Sequence, residues 1–234
     1  MNYQKDIEFE FFTSILKENR KPRLPEAMVF DTGTYNWKRF DTWPPANIPA
    51  VSLTFHEDGR LGLNEDADSD AVFDYISDPA KPVPYRSETE GFVFTPRPYM
   101  TDDQRHASKR PDVLTFETEA LEDPVTLAGE IQAQLDVILS TTDADFVVKI
   151  IDVFPPDHPD FAHNPDNIEM GSYQMLVRAE VMRGRFRDDF SNPKPFRAGQ
   201  ETEVNFTLQD MLHTFKPGHK IMVQIHSTWF PYID

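Results

Sequence analysis

The run Phe146-Val-Val-Lys-Ile-Ile-Asp-Val153 constrains the fold more than any other stretch of this chain. It is almost continuously apolar, rich in β-branched residues and too short for a core helix, so it reads as a central strand covered on both faces. Such a strand needs hydrogen-bonded neighbours and a second layer. Ile131, Ala133, Leu135 and Val137 alternate with Gln132, Gln134 and Asp136, the pattern of a strand with one wet face. Leu176 to Arg183, Val204 to Leu208 and Ile221 to His226 add further strands, the last entered through a Lys216-Pro217-Gly218 turn. Many short strands without intervening helices predict an all-β, two-sheet sandwich or jelly roll.

The amino-terminal part has a different period. Ile7, Phe11, Phe12, Ile15 and Leu16 recur at helical spacing, Phe9 widens the apolar face, and Pro22 and Pro25 close the segment, so residues 4–18 are expected to form one amphipathic helix. Met28 to Phe30, Trp37 to Phe40 and Val51 to Phe55 are short strands between turns. From about 64 to 110 an acidic stretch is followed by Pro79, Pro82, Pro84, Pro96 and Pro98. Prolines at that density cannot serve a central ladder, and a long extended excursion over the surface is expected. The layout is therefore a helical segment at 1–25 and a sandwich at 26–234.

Composition narrows the partners. Forty acidic residues against 23 basic ones give a net charge of −17, which repels a phosphate backbone, so no nucleic acid is expected. No stretch approaches the ~18 apolar residues of a membrane span, Met1 to Asp6 is not a secretory leader, and no membrane partner is expected. There is no cysteine, which excludes disulfides and thiolate metal sites and leaves the compartment open.

Five blocks carry a resemblance to a known family: Arg110-Pro-Asp-Val-Leu-Thr-Phe116, Leu127-Ala-Gly129, Thr142 to Val153, Met182-Arg-Gly-Arg185 and Phe215-Lys-Pro-Gly-His-Lys-Ile221. In that order they resemble the carboxy-terminal domain of the X-Pro dipeptidyl-peptidase-like (CocE/NonD) α/β-hydrolase superfamily. Pro25 to Gly33 with Trp37, and Tyr75 to Tyr85, look like its α-amino-acid ester hydrolase and glutaryl-acylase branch. The resemblance implies a jelly roll of galactose-binding-like fold packed against a catalytic domain that holds a serine-histidine-aspartate triad. No serine here fits the nucleophile's strand-to-helix turn; Ser172 follows Gly171 but has Gln174 where a second glycine is needed. The chain is accordingly expected to be a fragment without the triad, inactive alone, with the hydrolase domain as its partner and self-association through the helix as a second contact. The stretch Tyr99 to Arg105 is the candidate for proximity to the parent's cleft.

Several constellations invite other readings. His158, Asp160 and His163 could hold a zinc-like ion, against a polar surface loop. Asp66, Asp68 and Asp70 resemble an oxygen-rich calcium loop but lack its glycine and distal glutamate. His213 and His219 could supply a general base, against structural or surface roles. Trp37, Trp43 and Trp229 could form a sugar platform, the basis of an alternative reading as a carbohydrate- or polypeptide-binding module, against core filling. Asp145 and Asp152 are assigned to one face of the central strand and Lys149 to the other, with Arg183, Arg185 and Arg187 as ion-pair candidates. No catalytic, cofactor or metal residue is assigned, and no cofactor is expected.

Overall fold

The computed structural model describes residues 2–46, 48–67, 71–87 and 97–233. Ten strands are described: β1 Ala27–Asp31, β2 Asn36–Phe40, β3 Leu53–Phe55, β4 Leu61–Leu63, β5 Leu114–Glu117, β6 Val125–Ile138, β7 Asp145–Val153, β8 Gln174–Arg183, β9 Glu201–Phe215 and β10 Lys220–His226. An antiparallel sheet of order β5-β10-β7-β8 faces the long β6–β9 ribbon, and β1–β2 and β3–β4 are hairpins. Between the two layers lies the main core: Phe146, Val148 and Ile150 of β7 meet Val204, Phe206 and Leu208 of β9 and Ile221, Val223 and Ile225 of β10. Each such side chain contributes ~1.5–3 kcal/mol on burial.

The sandwich expected from the sequence is the observed architecture. β7 sits between β10 and β8 and is buried from Phe146 to Val153, because apolar residues of both parities must be covered. β6 alternates as expected, with Gln132, Gln134 and Asp136 exposed and Ala133 buried.

The excursion departs from expectation. Val83, Tyr85, Gln104 and Ala107 are buried, so part of it is core rather than surface. The reason is the outer face of β7: Val147 packs with Tyr85 and Trp229, and Ile151 with Met222, a face the β6–β9 layer cannot reach. Within Pro82-Val83-Pro84-Tyr85 the prolines donate nothing, while Val83 N donates to Thr228 Oγ1 (2.8 Å) and Tyr85 N to the Phe230 carbonyl (2.9 Å). The segment is thus an edge strap, a sheet position that tolerates proline. A short helix, Arg105–Ser108, completes the cover.

The β1–β2 hairpin is tied to β9 by a buried carboxylate. Asp31 accepts from Gly33 N (3.0 Å), Thr214 N (3.0 Å) and Thr214 Oγ1 (2.7 Å), and pairs with Lys38 Nζ at 2.7 Å. Burial raises its pKa, but Lys38, Thr214 and Thr34 outweigh that and hold it well below the ordinary carboxylate range. Gly33 permits the approach, since a Cβ there would lie 1.9 Å from the Thr214 carbonyl oxygen.

Candidate functional site

Among the described residues the densest run of exposed apolar side chains belongs to the amino-terminal helix. Helical turns run from Gln4 to Lys17, with π-type turns at Gln4–Glu8 and Thr13–Lys17 around a single α turn at Phe9–Phe12. Phe9, Phe12 and Leu16, exposed by 65%, 50% and 74%, line one shallow groove. Phe11 and Ile15 are exposed as well. The helix is fixed by polar contacts: Arg20 Nη1 donates to Glu10 Oε1 (2.8 Å), Ser14 Oγ donates to the same carboxylate (3.1 Å), and Arg23 N does so at 2.9 Å. The Arg20 hydrogen bond holds the Glu10 carboxyl below the usual range. Tyr3 stacks on Trp37 with ring centroids 6.3 Å apart. Among the described residues no helix is long and apolar enough to cross a membrane.

Two buried charged groups lie on β7. Asp152 faces the inside of the sandwich, where its Oδ2 is 3.1 Å from His213 Nε2 and its Oδ1 is 2.7 Å from His219 Nδ1. All three side chains are buried, so the two histidines are interior rather than surface groups. Their position in sequence gave no sign that a carboxylate on another strand would join them. Burial raises the Asp152 pKa, yet the two imidazole hydrogen bonds prevail and hold it below its ordinary value. With Nε2–H of His213 given to Asp152, its Nδ1 accepts the Thr32 hydroxyl at 2.7 Å. Hydroxyl, imidazole and carboxylate are in line, but the Thr32 N–H is spent on the Leu212 carbonyl (3.2 Å). The hydroxyl therefore lacks that donor for an oxyanion, and the chain of groups ties β1, β7 and β9 together.

Lys149 faces the other way. Its Nζ donates to Gln104 Oε1 (3.0 Å) and lies 4.8 Å from the centre of the Trp229 ring. Complete burial pushes its pKa down to about 7. Gln224 stands opposite it in the register, and Gln224 Oε1, His226 Nε2 and Trp229 Nε1 are buried without hydrogen-bond partners. Burial, and then Lys149, push the His226 pKa well down. The expected assignment of faces on β7 is corrected here: the pleat is unbroken along β7, so Asp145 and Lys149 share one face and Asp152 takes the other. Asp145 pairs with Arg183 at 3.2 Å, while Arg185 pairs with Asp143 and Arg187 lies over the Phe196 ring.

The remaining candidates scatter. His158 Nδ1 is 3.0 Å from the Pro159 carbonyl, Asp160 accepts from Met170 N (2.8 Å) and His163 is exposed. Asp66 is exposed, and Asp68 and Asp70 lie outside the described residues. No group of three or more His, Asp or Glu converges as a cation site among the described residues. The tryptophans sit in separate aromatic groups: Trp37 with Phe30, Trp43 with Phe40, and Trp229, buried, with Tyr99 and Tyr232. Ser172 has φ +56° in the turn before β8. Arg105, at the end of the Tyr99 to Arg105 stretch, fastens to the Glu169 and Gly171 carbonyls at 3.2 Å each.

Comparison with known proteins places this arrangement. Residues 19–234 match the model of the X-Pro dipeptidyl-peptidase C-terminal non-catalytic domain. The chain is 30% identical over 222 residues to the cocaine esterase of Rhodococcus sp. (strain MB1 Bresler), covering 90% of this chain and 35% of that protein. An aminopeptidase from a marine sediment Thaumarchaeota archaeon superposes with TM-score 0.85 at 39% identity, covering 98% of this chain and 37% of that one. An α-amino acid ester hydrolase superposes with TM-score 0.82 at 34% identity, covering 98% and 38%. The chain spans roughly a third of the length of these relatives. It belongs to the X-Pro dipeptidyl-peptidase C-terminal non-catalytic domain family.

Proposed function

We propose that this β-sandwich buttresses the catalytic domain of a serine acyl hydrolase, with residues 1–25 as the junction and 26–234 as the supporting domain. The exposed row Phe9, Phe12 and Leu16 carries this reading. A free surface helix buries its apolar stripe, and an uncovered one marks a docking surface. The relatives' additional length supplies a candidate to cover it. The parent reaction is then acyl transfer from an ester or amide to water, performed by residues of the catalytic domain, while the sandwich supplies a rigid wall and a share of the substrate cleft. In the absence of that domain the helix pairs with a second copy.

The test combines turnover and association. The purified 234-residue chain is expected to leave a chromogenic ester and an X-Pro anilide intact, and to self-associate in analytical ultracentrifugation. Phe9→Glu with Leu16→Glu is expected to yield monomers with an unchanged circular dichroism spectrum. Turnover abolished by a point substitution in this chain, or a wild-type chain that stays monomeric at high micromolar concentration, overturns the proposal.

A further inference from the structure

Two breaks in strand regularity face each other beside the β1–β2 hairpin. In β8 the register passes from Arg178 opposite Ile150 to Leu176 opposite Ile151, leaving Val177 as an extra residue. A bulge of this kind re-aims the side chains next to it, and here Val177 and Arg178 turn to the same side and line one cleft. In β6–β9 the pairing breaks between Gly129 and Ile131. Gly129 has φ +97° there, and a Cβ would meet Pro44 at 3.0 Å, so the kink brings Trp43 and its neighbour against the ribbon. The space between the two breaks is a cleft of about 150 Å³, walled by Val29, Phe30, Trp43, Asp210 and Leu212 as well as the bulge.

The polar groups of the cleft are unevenly satisfied. Trp43 Nε1 donates to Asp210 Oδ2 at 2.6 Å, and Arg178 Nη2 donates to the Asp210 backbone carbonyl at 2.5 Å. Arg178 Nε is buried and has no partner. A buried cationic donor requires an acceptor, and the Asp210 carboxylate is turned to the indole instead. On one edge of the guanidinium Nε–H stands beside Nη2, and together they form the side-on fork that matches the two oxygens of a carboxylate.

We propose that this cleft binds a small monocarboxylate, with the Arg178 side chain turning its buried edge into the cleft so that the fork meets both oxygens, and with the short apolar body of the ligand against Trp43, Phe30 and Val29. The volume of about 150 Å³ is below the ~300–1,000 Å³ of sites for drug-sized ligands. The ligand is therefore a short, branched acid of the size of isobutyrate rather than a sugar or a peptide.

The test uses the 234-residue chain labelled with ¹⁵N, following the Trp43 indole N–H and Arg178 Nε–H signals during titration. Sodium isobutyrate is compared with isobutyramide, which has the same shape without the charge, and with sodium chloride at equal ionic strength. The expected result is a saturable shift of both signals with isobutyrate at millimolar concentration, the scale for a ligand of about six heavy atoms, and none with the other two. Arg178→Lys keeps the charge and loses the fork, and is expected to weaken binding about tenfold or more, the loss of one charge-assisted hydrogen bond. Equal shifts with isobutyramide, unchanged affinity in Arg178→Lys, or no saturation below about 100 mM overturns the proposal. Should Arg178→Lys not fold, the paired wild-type titrations decide alone.

Discussion

Asp152 and Lys149 lie three residues apart on β7 and on opposite faces, both buried, and the protein treats them in opposite ways. The inward carboxylate receives a hydrogen bond on each oxygen, from His213 and His219. The outward amine has a single amide oxygen and an aromatic face, beside three buried polar atoms with no partner. The partners of the inner carboxylate come from β9 and from the turn into β10. The outer cover is a proline-rich strap, whose backbone contributes few donors. The charge inside the sandwich is thus held by side chains from β9 and the entry to β10, whereas burial under the strap favours the neutral form of Lys149.

The sharpest break of this contrast is Asp152→Ala. It leaves two buried imidazole N–H groups without an acceptor and is expected to lower stability by about 3–5 kcal/mol in urea unfolding; a loss below ~1 kcal/mol would mean the histidines are not held by the carboxylate. Lys149→Met is expected to act in the other direction, stabilising by on the order of 3 kcal/mol at neutral pH because a hydrophobe of similar length suits the site. The sign follows from the protons. The folded-state pKa of Lys149 is about 7 against an ordinary 10.5, so between these values the unfolded chain binds more protons and wild-type stability rises with pH. At and below about pH 7 the destabilisation is present in full. In Lys149→Met that rise between pH 7 and 10 disappears, and a rise that persists would assign it to another group. The smallest effect is expected for Trp229→Phe, about 1–2 kcal/mol, since Trp229 Nε1 has no acceptor to lose while the cation–π contact weakens and one buried ring is trimmed. A larger loss would show that the indole nitrogen has a partner.

Much of this fold is legible from local pattern. The β7 run and the β6 alternation report burial on two faces and on one, because the side-chain period of a strand is fixed at two. The same rule, applied strictly, puts Asp145 and Lys149 on one face. The strap was legible only as something that could not be a ladder strand; that it seals β7 depends on contacts such as Val83 to Thr228, 145 residues apart. Asp31 is a signal within reach of the sequence, since an Asp two residues before a glycine between short strands predicts a carboxylate that closes its own turn. The Val177 bulge is different in kind. Nothing in Leu176 to Arg178 marks it, because a bulge is set by the fit of one layer to another, and with it the candidate cleft escapes any reading of the sequence.

The strap also has a consequence in time. Its pairing with residues 228–230 closes a separation of 145 residues between Val83 and Thr228, and contacts so far apart form late, because loop closure must precede them. Until then the ε-amine of Lys149 stands in water and behaves as an ordinary lysine. An acylating pulse during refolding would mark it in molecules that have built their sheets but not yet shut the cover, so this buried charge is also a clock for the strap.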